Sequence, residues 1–156
     1  MIEIKLLTEI NPHHHQSILA LIHETLNTSN TVDYTKTITQ HLINNHYTPE
    51  WLNRKQANAY FLVALQDKQP IGTGILEDSE IKALFTHPAY QGKGIGKQIL
   101  TQLETHAKQN NVKTVHLNSS KTAYNFYKQQ GYTYTETKTD IIKNETIETY
   151  RFEKKI

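Results

Sequence analysis

The chain contains no cysteine, which excludes disulfide bonds and a thiol nucleophile. Arginine is almost absent as well, with Arg54 and Arg151 as its only copies, and the net charge is only +2. Proteins that bind nucleic acid usually carry a basic stripe with several arginines, so this composition argues against nucleic acid as a partner. No apolar run approaches the roughly 20 residues that a helix needs to cross a bilayer.

The rest of the composition describes one folded domain. The chain has 156 residues, of which 37% are hydrophobic, a length that suits one domain with a substantial core. No internal repeat, low-complexity linker or shift in composition divides it. Charges at Glu3 and Lys5 interrupt the first apolar residues, which does not fit a signal peptide. We therefore expect a single domain over residues 1–156, cytoplasmic and without a membrane partner.

Apolar periodicity predicts the elements of the first half. Residues 2–6 alternate between apolar and charged side chains, as a strand with one buried face does. Asn11 and Pro12 are a typical N-cap and first helical residue. The expected elements are a strand at 2–6, helices at 11–26 and 31–42, a turn or short helix at 48–51, and strands at 59–65, 70–76 and 80–86.

The second half alternates between helices and strands. Residues 95–107 place apolar side chains on one helical face, and Gly131 is a typical C-terminal cap. The expected elements are a helix at 95–107, a strand at 114–117, a helix at 122–130, and strands at 132–137 and 148–152 that form a hairpin across the polar segment 138–145. This order, β-α-α-β-β-β-α-β-α-β-β, predicts an α/β fold.

A glycine-rich turn connects the strand at 80–86 to the helix that follows. Residues 91–96 read Gln-Gly-Lys-Gly-Ile-Gly. Glycines let main-chain N–H groups approach a ligand, and the first N–H groups of a helix have no partner within the helix. The helix dipole adds partial positive charge at the same point. This turn therefore predicts a site for a phosphate-bearing ligand.

Two common nucleotide motifs do not fit this turn. The Walker motif needs Ser or Thr after Gly-Lys, whereas Gln98 follows Lys97 here. The dinucleotide fingerprint spaces its glycines as G-x-G-x-x-G near the first strand, whereas Gly92, Gly94 and Gly96 alternate and lie past mid-chain.

A third pattern agrees with the sequence. Gln91-x-x-Gly94-x-Gly96, preceded by Leu-Phe-Thr-His-Pro at 84–88, resembles the acyl-CoA signature of the GCN5-related N-acetyltransferases, the GNAT superfamily. The segment 123–132, Ala-Tyr-Asn-Phe-Tyr-Lys-Gln-Gln-Gly-Tyr, is similar to the family's A-x-x-F-Y-x-x-x-G-F/Y block. The blocks occur in family order, and the resemblance spans residues 2–152. It implies the GNAT fold, a mixed central sheet of about six or seven strands flanked by about four helices.

The resemblance implies an N-acetyltransferase. Such an enzyme takes acetyl-CoA as co-substrate and transfers the acetyl group to a primary amine by direct attack, without a metal. The absence of cysteine agrees with direct transfer. Two alternatives remain open, a non-catalytic acyl-CoA-binding regulatory module and an N-acyltransferase that uses another acyl-CoA. The acceptor also remains open among an amino acid, a polyamine, an aminoglycoside-like amine and a protein amine. A homodimer is common in the family, but no sequence feature indicates one.

The resemblance also implies a binding site for the donor. The CoA diphosphate is expected over the N–H groups of the glycine turn, and the pantetheine arm is expected to pair with the backbone of a strand that splays from its neighbour. An N–H group near Leu84 or Phe85 would polarise the thioester carbonyl. Ser120 is equally suited to cap a helix. The predicted cofactor-binding residues are Leu84, Phe85, Thr86, Gln91, Gly92, Lys93, Gly94, Ile95, Gly96, Lys97, Asn118 and Ser120.

Two residues are predicted to be catalytic. Tyr127 occupies the family position whose hydroxyl approaches the CoA sulfur, and a phenol can protonate or hydrogen-bond a departing thiolate. Glu80 lies four residues before Leu84, where some family members carry a glutamate that takes the proton of the ammonium. A water chain without a dedicated base is an alternative. The weaker candidates for the base are Glu77, Asp78, His87 and His116.

Two further features have ordinary explanations. His13, His14 and His15 are consecutive, and consecutive helical residues point in different directions, so they do not predict a metal site. Aromatic residues in the first half either line the acceptor pocket or pack the helices onto the sheet. They are Tyr34, Tyr47 and Trp51.

Overall fold

Seven strands and five α-helices form the structure, a computed structural model that describes residues 1–156. The strands are β1 (Ile2–Leu6), β2 (Tyr60–Gln66), β3 (Gln69–Glu77), β4 (Glu80–Thr86), β5 (Thr114–Ser119), β6 (Thr133–Ile142) and β7 (Glu145–Lys155). The helices are α1 (His15–Thr28), α2 (Lys36–His41), α3 (Pro49–Asn58), α4 (Ile95–Gln109) and α5 (Tyr124–Gln129). Short turns of 3-10 helix lie at Leu7–Glu9, Pro12–His14 and Pro88–Tyr90, and a π-helical turn lies at Leu42–His46.

All seven strands join one mixed sheet in the order β1-β2-β3-β4-β5-β7-β6. Every neighbouring pair is antiparallel except β4 and β5, which run parallel. These two strands are in register at one position only, between Glu80 and His116. The His116 amide donates a hydrogen bond of 3.0 Å to the carbonyl of Ser79. Beyond this point the two strands no longer pair.

The core consists of two apolar clusters on opposite faces of the sheet. Alternation along β2 supplies both, because Leu62 and Ala64 face one cluster while Phe61 and Val63 face the other. The first cluster packs under α4 and α5, and the second packs under α1 and α3. Burial on both faces explains why β2 reads as a continuous apolar run. None of the helices combines the length and the apolar character needed to cross a bilayer.

The structure corrects the prediction for the second helix. The predicted helix over 31–42 begins only at Lys36, and residues 31–33 form turns. The Thr35 hydroxyl accepts a hydrogen bond of 3.3 Å from the Ile38 amide and so caps the helix at this later point. The predicted turn or short helix at 48–51 extends to Asn58 as α3.

The C-terminal hairpin is longer than predicted. The polar segment 138–145, expected to be the connection, lies mostly within β6 and β7, and the turn falls at Lys143 and Asn144 with φ of +52° and +65°. Both residues are left-handed, as a two-residue hairpin turn requires. The prediction failed because β6 is exposed along most of its length and carries no apolar alternation. The predicted helix at 122–130 begins two residues later, at Tyr124.

A β-bulge interrupts β4 where the strand faces β3. Ala83 and Leu84 together lie opposite Gly74, and Ala83 has a left-handed φ of +49°. The Thr73 hydroxyl donates a hydrogen bond of 2.8 Å to the Ala83 carbonyl and stabilises this conformation. The bulge changes the direction of β4 just after its pairing with β5 at Glu80 has ended.

The close approach of α4 to β3 makes Gly74 a sensitive position. A Cβ atom there would lie 2.5 Å from Cγ2 of Ile99 and 3.1 Å from Cδ1 of Leu103. We expect Gly74→Ala to lower the free energy of unfolding by about 1–3 kcal/mol, because overpacking forces α4 to shift. Urea denaturation measures the change. Thr139→Ala, at an exposed position of β6, is the control and should change stability by about 0.5 kcal/mol or less. A Gly74→Ala protein as stable as the wild type would contradict this packing argument.

Candidate active site

A cavity of about 550 Å³ occupies the gap between β4 and β5. Its walls come from the end of α1, the α2 region, β4, the glycine turn with the start of α4, and the end of β5 with α5. Members of both apolar clusters line it, including Leu84 and Tyr127 from one face and Tyr47 and Phe85 from the other. The cavity therefore runs through the sheet. Every residue that the sequence predicted for the site lines it except Glu80 and Lys93.

The glycine turn presents a row of unpaired backbone donors. None of the amide N–H groups from Gly92 to Lys97 donates a hydrogen bond to another backbone group. Gly92 and Gly94 have left-handed φ values of +76° and +80°, and Gly94 is the N-cap of α4. A Cβ atom at either glycine would meet no atom within 4 Å other than those of its chain neighbours. Free donors, open space and the positive end of a 15-residue helix together suit an anionic group.

The side chain of Gln91 anchors the glycine turn to two neighbouring segments. Its Nε2 donates hydrogen bonds of 2.7 Å to Oγ of Ser29 and 3.0 Å to the carbonyl of Thr86. The turn is thereby tied to the end of α1 and to the end of β4. The Lys93 ammonium instead lies 5.1 Å from the centre of the Tyr90 ring, outside the cavity lining.

Tyr127 is almost fully buried at the end of the cavity nearest α5. Its ring packs against Phe126, Tyr132 and Phe152, with centroid distances of 5.1, 5.8 and 6.1 Å. Burial raises the pKa of the Tyr127 hydroxyl above its ordinary value, and no hydrogen bond to a protein group contributes to that shift. The hydroxyl therefore stays protonated throughout the physiological range, which suits a hydrogen-bond donor.

A chain of charged side chains approaches the cavity from the β3–β4 hairpin. Oε2 of Glu80 lies 3.4 Å from the Lys82 ammonium and 4.0 Å from Nε2 of His116. The same ammonium lies 3.1 Å from Oε1 of Glu77, whose Oε2 is 2.6 Å from the Lys55 ammonium. Of these charged side chains, only that of Lys82 lines the cavity.

The charge states of Glu77 and Lys82 follow from these contacts. The hydrogen bond from the Lys55 ammonium, with a further one from Lys82, holds the pKa of Glu77 below its usual value. Burial lowers the pKa of Lys82, but the bond to Glu77 and the charge of Glu80 outweigh burial, and the net pKa is raised. Glu77 is therefore a poor proton acceptor, and Lys82 remains a cation.

The other candidates for a base have structural partners or lie apart. In His87, Nδ1 accepts a hydrogen bond of 3.1 Å from the Ala89 amide, and Nε2 lies 3.0 Å from Oε2 of Glu24. Asp78 is exposed in the β3–β4 turn. No three or more His, Cys, Asp or Glu side chains lie together as a metal site would require.

Sequence reasoning missed a set of hydrogen bonds that links two distant segments of the cavity wall. The Asp33 carboxylate accepts hydrogen bonds of 2.9 Å from the Thr122 amide, 2.6 Å from the Thr122 hydroxyl and 2.8 Å from the Asn30 side chain. Asn30 and Thr122 both line the cavity. These hydrogen bonds join the turn after α1 to the start of α5. No local signal in the sequence could have paired residues 89 positions apart.

The aromatic residues of the first half have different positions. Tyr34 and Tyr47 line the cavity, whereas Trp51 is buried and packs against Phe61 with a centroid distance of 5.9 Å. Ser120 lines the cavity and also accepts a hydrogen bond of 3.3 Å from the Ala123 amide, as a helix cap does.

Comparisons with known proteins agree with this architecture. The family model described as an acetyltransferase (GNAT) domain matches residues 26–154. A GCN5-related N-acetyltransferase from Rhodopseudomonas palustris superposes with a TM-score of 0.87 at 18% identity, over 100% of this chain and 95% of that chain. PaiA N-acetyltransferase from Thermoplasma acidophilum, in complex with coenzyme A, gives a TM-score of 0.81 at 22% identity, over 100% and 99%.

A third solved structure is YncA from Salmonella typhimurium with its cofactor acetyl-CoA. It gives a TM-score of 0.70 at 15% identity, over 99% of this chain and 94% of that chain. No curated protein matches the sequence. The superpositions confirm the predicted fold, with its mixed sheet of seven strands.

Proposed function

This chain belongs to the GNAT acetyltransferase family, and from that membership we propose that it transfers an acetyl group from acetyl-CoA to a primary amine. The transfer is direct, without an acyl-enzyme, within a single acetyltransferase domain over residues 1–156. The observation that carries the proposal is the row of free amides from Gly92 to Lys97 at the edge of a cavity that crosses the sheet.

The donor end of the site is the glycine turn and the gap beside it. The diphosphate of CoA binds the free amides of residues 92–97, with the Lys97 side chain beside it. The pantetheine arm lies in the gap, against the backbone of residues 84–86, and Asn118 and Ser120 offer it polar groups. PaiA N-acetyltransferase was solved with coenzyme A and YncA with acetyl-CoA, which supports this assignment.

The chemical step needs a neutral amine, a polarised carbonyl and a stabilised leaving group. The amine nitrogen attacks the thioester carbonyl carbon, and the backbone N–H group of Leu84 or Phe85 stabilises the developing oxyanion. The carbon–sulfur bond then breaks, and the Tyr127 hydroxyl donates to the thiolate. Glu80 accepts the proton that the ammonium loses, through a water molecule, because its side chain lies outside the cavity lining.

Substitution of Gly94 tests the donor site. With φ at +80°, alanine there is strained by about 1 kcal/mol and displaces the adjacent amides. We expect Gly94→Ala to raise the Kd for CoA about fivefold or more by calorimetry. Gly131→Ala is the matched control, because its φ of +87° imposes similar strain outside the cavity lining. CoA binding by Gly94→Ala at wild-type strength would count against the diphosphate assignment.

Removal of the Tyr127 hydroxyl tests the acid and separates an enzyme from a binding module. We expect Tyr127→Phe to lower kcat about a hundredfold while the Kd for acetyl-CoA stays within about threefold, because the ring packing remains. Stopped assays of CoA release and calorimetry measure the two quantities. Tyr132→Phe is the matched control, since it removes a neighbouring hydroxyl that bonds Glu104 and lies outside the cavity lining. An unchanged kcat in Tyr127→Phe would remove this residue from the mechanism.

The role of Glu80 has a distinct pH signature. We expect Glu80→Gln to lower kcat/KM for the amine about tenfold or more near neutral pH. The deficit should shrink as pH rises, because solvent then supplies a larger fraction of neutral amine without help from a base. Glu136→Gln, at an exposed position of β6, is the control. A deficit that is independent of pH would show that Glu80 has a structural role.

A further inference from the structure

The charged side chains that line the cavity are all positive. Lys82 and Lys97 are the only Lys, Arg, Asp or Glu residues among the cavity lining, and no histidine lines it. Lys97 belongs to the first turn of α4, beside the free amides of the donor end. Lys82 lies four strand residues before Thr86, a distance of about 12 Å along the chain. The second positive charge therefore comes from a different element of the cavity wall, β4 rather than the start of α4.

The Lys82 ammonium retains an unused donor. An ammonium has three N–H groups, and two of them are directed at Glu77 and Glu80, at 3.1 and 3.4 Å. The side chain is 35% exposed, and Lys82 lines the cavity. Neither glutamate lines the cavity. The two carboxylates thus hold the ammonium in place, and the charged group that lines the cavity here is the positive one.

The face of the sheet that α1 and α3 cover contributes apolar side chains to the cavity wall. Leu42, Tyr47 and Phe85 line it, and the Tyr47 and Phe85 rings meet nearly at right angles with centroids 5.5 Å apart. A polycationic acceptor would find no carboxylate in the cavity lining, and the nearest carboxylates, Glu77 and Glu80, already pair with Lys82. A compact acceptor with one negative and one apolar group fits both features.

We propose that the acceptor is the α-amino group of an amino acid with an apolar side chain, whose carboxylate binds the Lys82 ammonium. This inference rests on the proposed function. The amine nitrogen forms a bond to the acetyl carbonyl carbon as the carbon–sulfur bond breaks. The ammonium loses two protons overall, of which the CoA thiolate takes one and solvent the other. The products are an N-acetyl amino acid and CoA.

A matched set of acceptors tests the proposal on the wild-type protein. Phenylalanine, phenylalaninamide and phenethylamine share one apolar group and differ at the carboxylate, and spermidine represents the polycations. With acetyl-CoA as donor, we expect kcat/KM for phenylalanine to exceed that for the amide by about tenfold or more, as a charge-assisted hydrogen bond implies. The amide's amine is less basic and therefore more often neutral, so intrinsic reactivity opposes this expected order.

Variants of Lys82 locate the preference. Lys82→Met should reduce the ratio between phenylalanine and its amide to less than about threefold, and Lys82→Arg should keep most of it. Lys108→Met, at an exposed position near the end of α4, is the control and should leave the ratio unchanged. The ratio is measured within one protein, so a partial loss of folded enzyme does not alter it.

The outcomes separate this inference from the proposed function. Equal or faster acetylation of the amide, phenethylamine or spermidine by the wild type would overturn the amino-acid acceptor and leave acetyl transfer intact. A preference for phenylalanine that survives in Lys82→Met would overturn the role of Lys82. Failure of the folded protein to bind acetyl-CoA in calorimetry would overturn both the proposed function and this inference.

Discussion

The separation of β4 from β5 determines where a ligand can bind in this molecule. Parting strands leave backbone polar groups without ladder partners, which is unfavourable in a buried position. The gap persists because each strand is secured on its other side. β5 pairs with β7 at six positions, and β4 pairs with β3 on both sides of its bulge. Glu80 and His116 form the one registered pair between them, and the cavity begins where this pairing ends.

Both ends of the cavity have a positive electrostatic potential, but its origin differs between them. At one end the positive potential comes from backbone amides and the dipole of α4, and no side-chain charge is required. At the other end it comes from Lys82, which Glu77 and Glu80 hold from outside the lining. The cavity therefore contains no carboxylate, although two lie close to it.

Local patterns predicted much of the fold, and most of the residues that they predicted for a donor site line the cavity. The glycine turn and the flanking β4 and α4 are contiguous in sequence, so their chemistry and geometry could be read together. The long β6–β7 hairpin was missed because its exposed strands lack an apolar pattern. The contact of Asp33 with Thr122 depends on the tertiary fold. The exposure of Lys82 to the cavity depends on the separation of β4 from β5, which residue spacing does not encode.

The position of the cavity between the two apolar clusters bears on how the proposed acetyl transfer would proceed. Here the glycine turn lies on the α4 face, whereas Tyr47 and Phe85 belong to the face covered by α1 and α3. An acceptor bound beside Tyr47 and Phe85 and a donor bound at the glycine turn would therefore occupy opposite faces of the sheet and meet between β4 and β5. The proposed transfer would then pass through a ternary complex in which both molecules are bound at the same time.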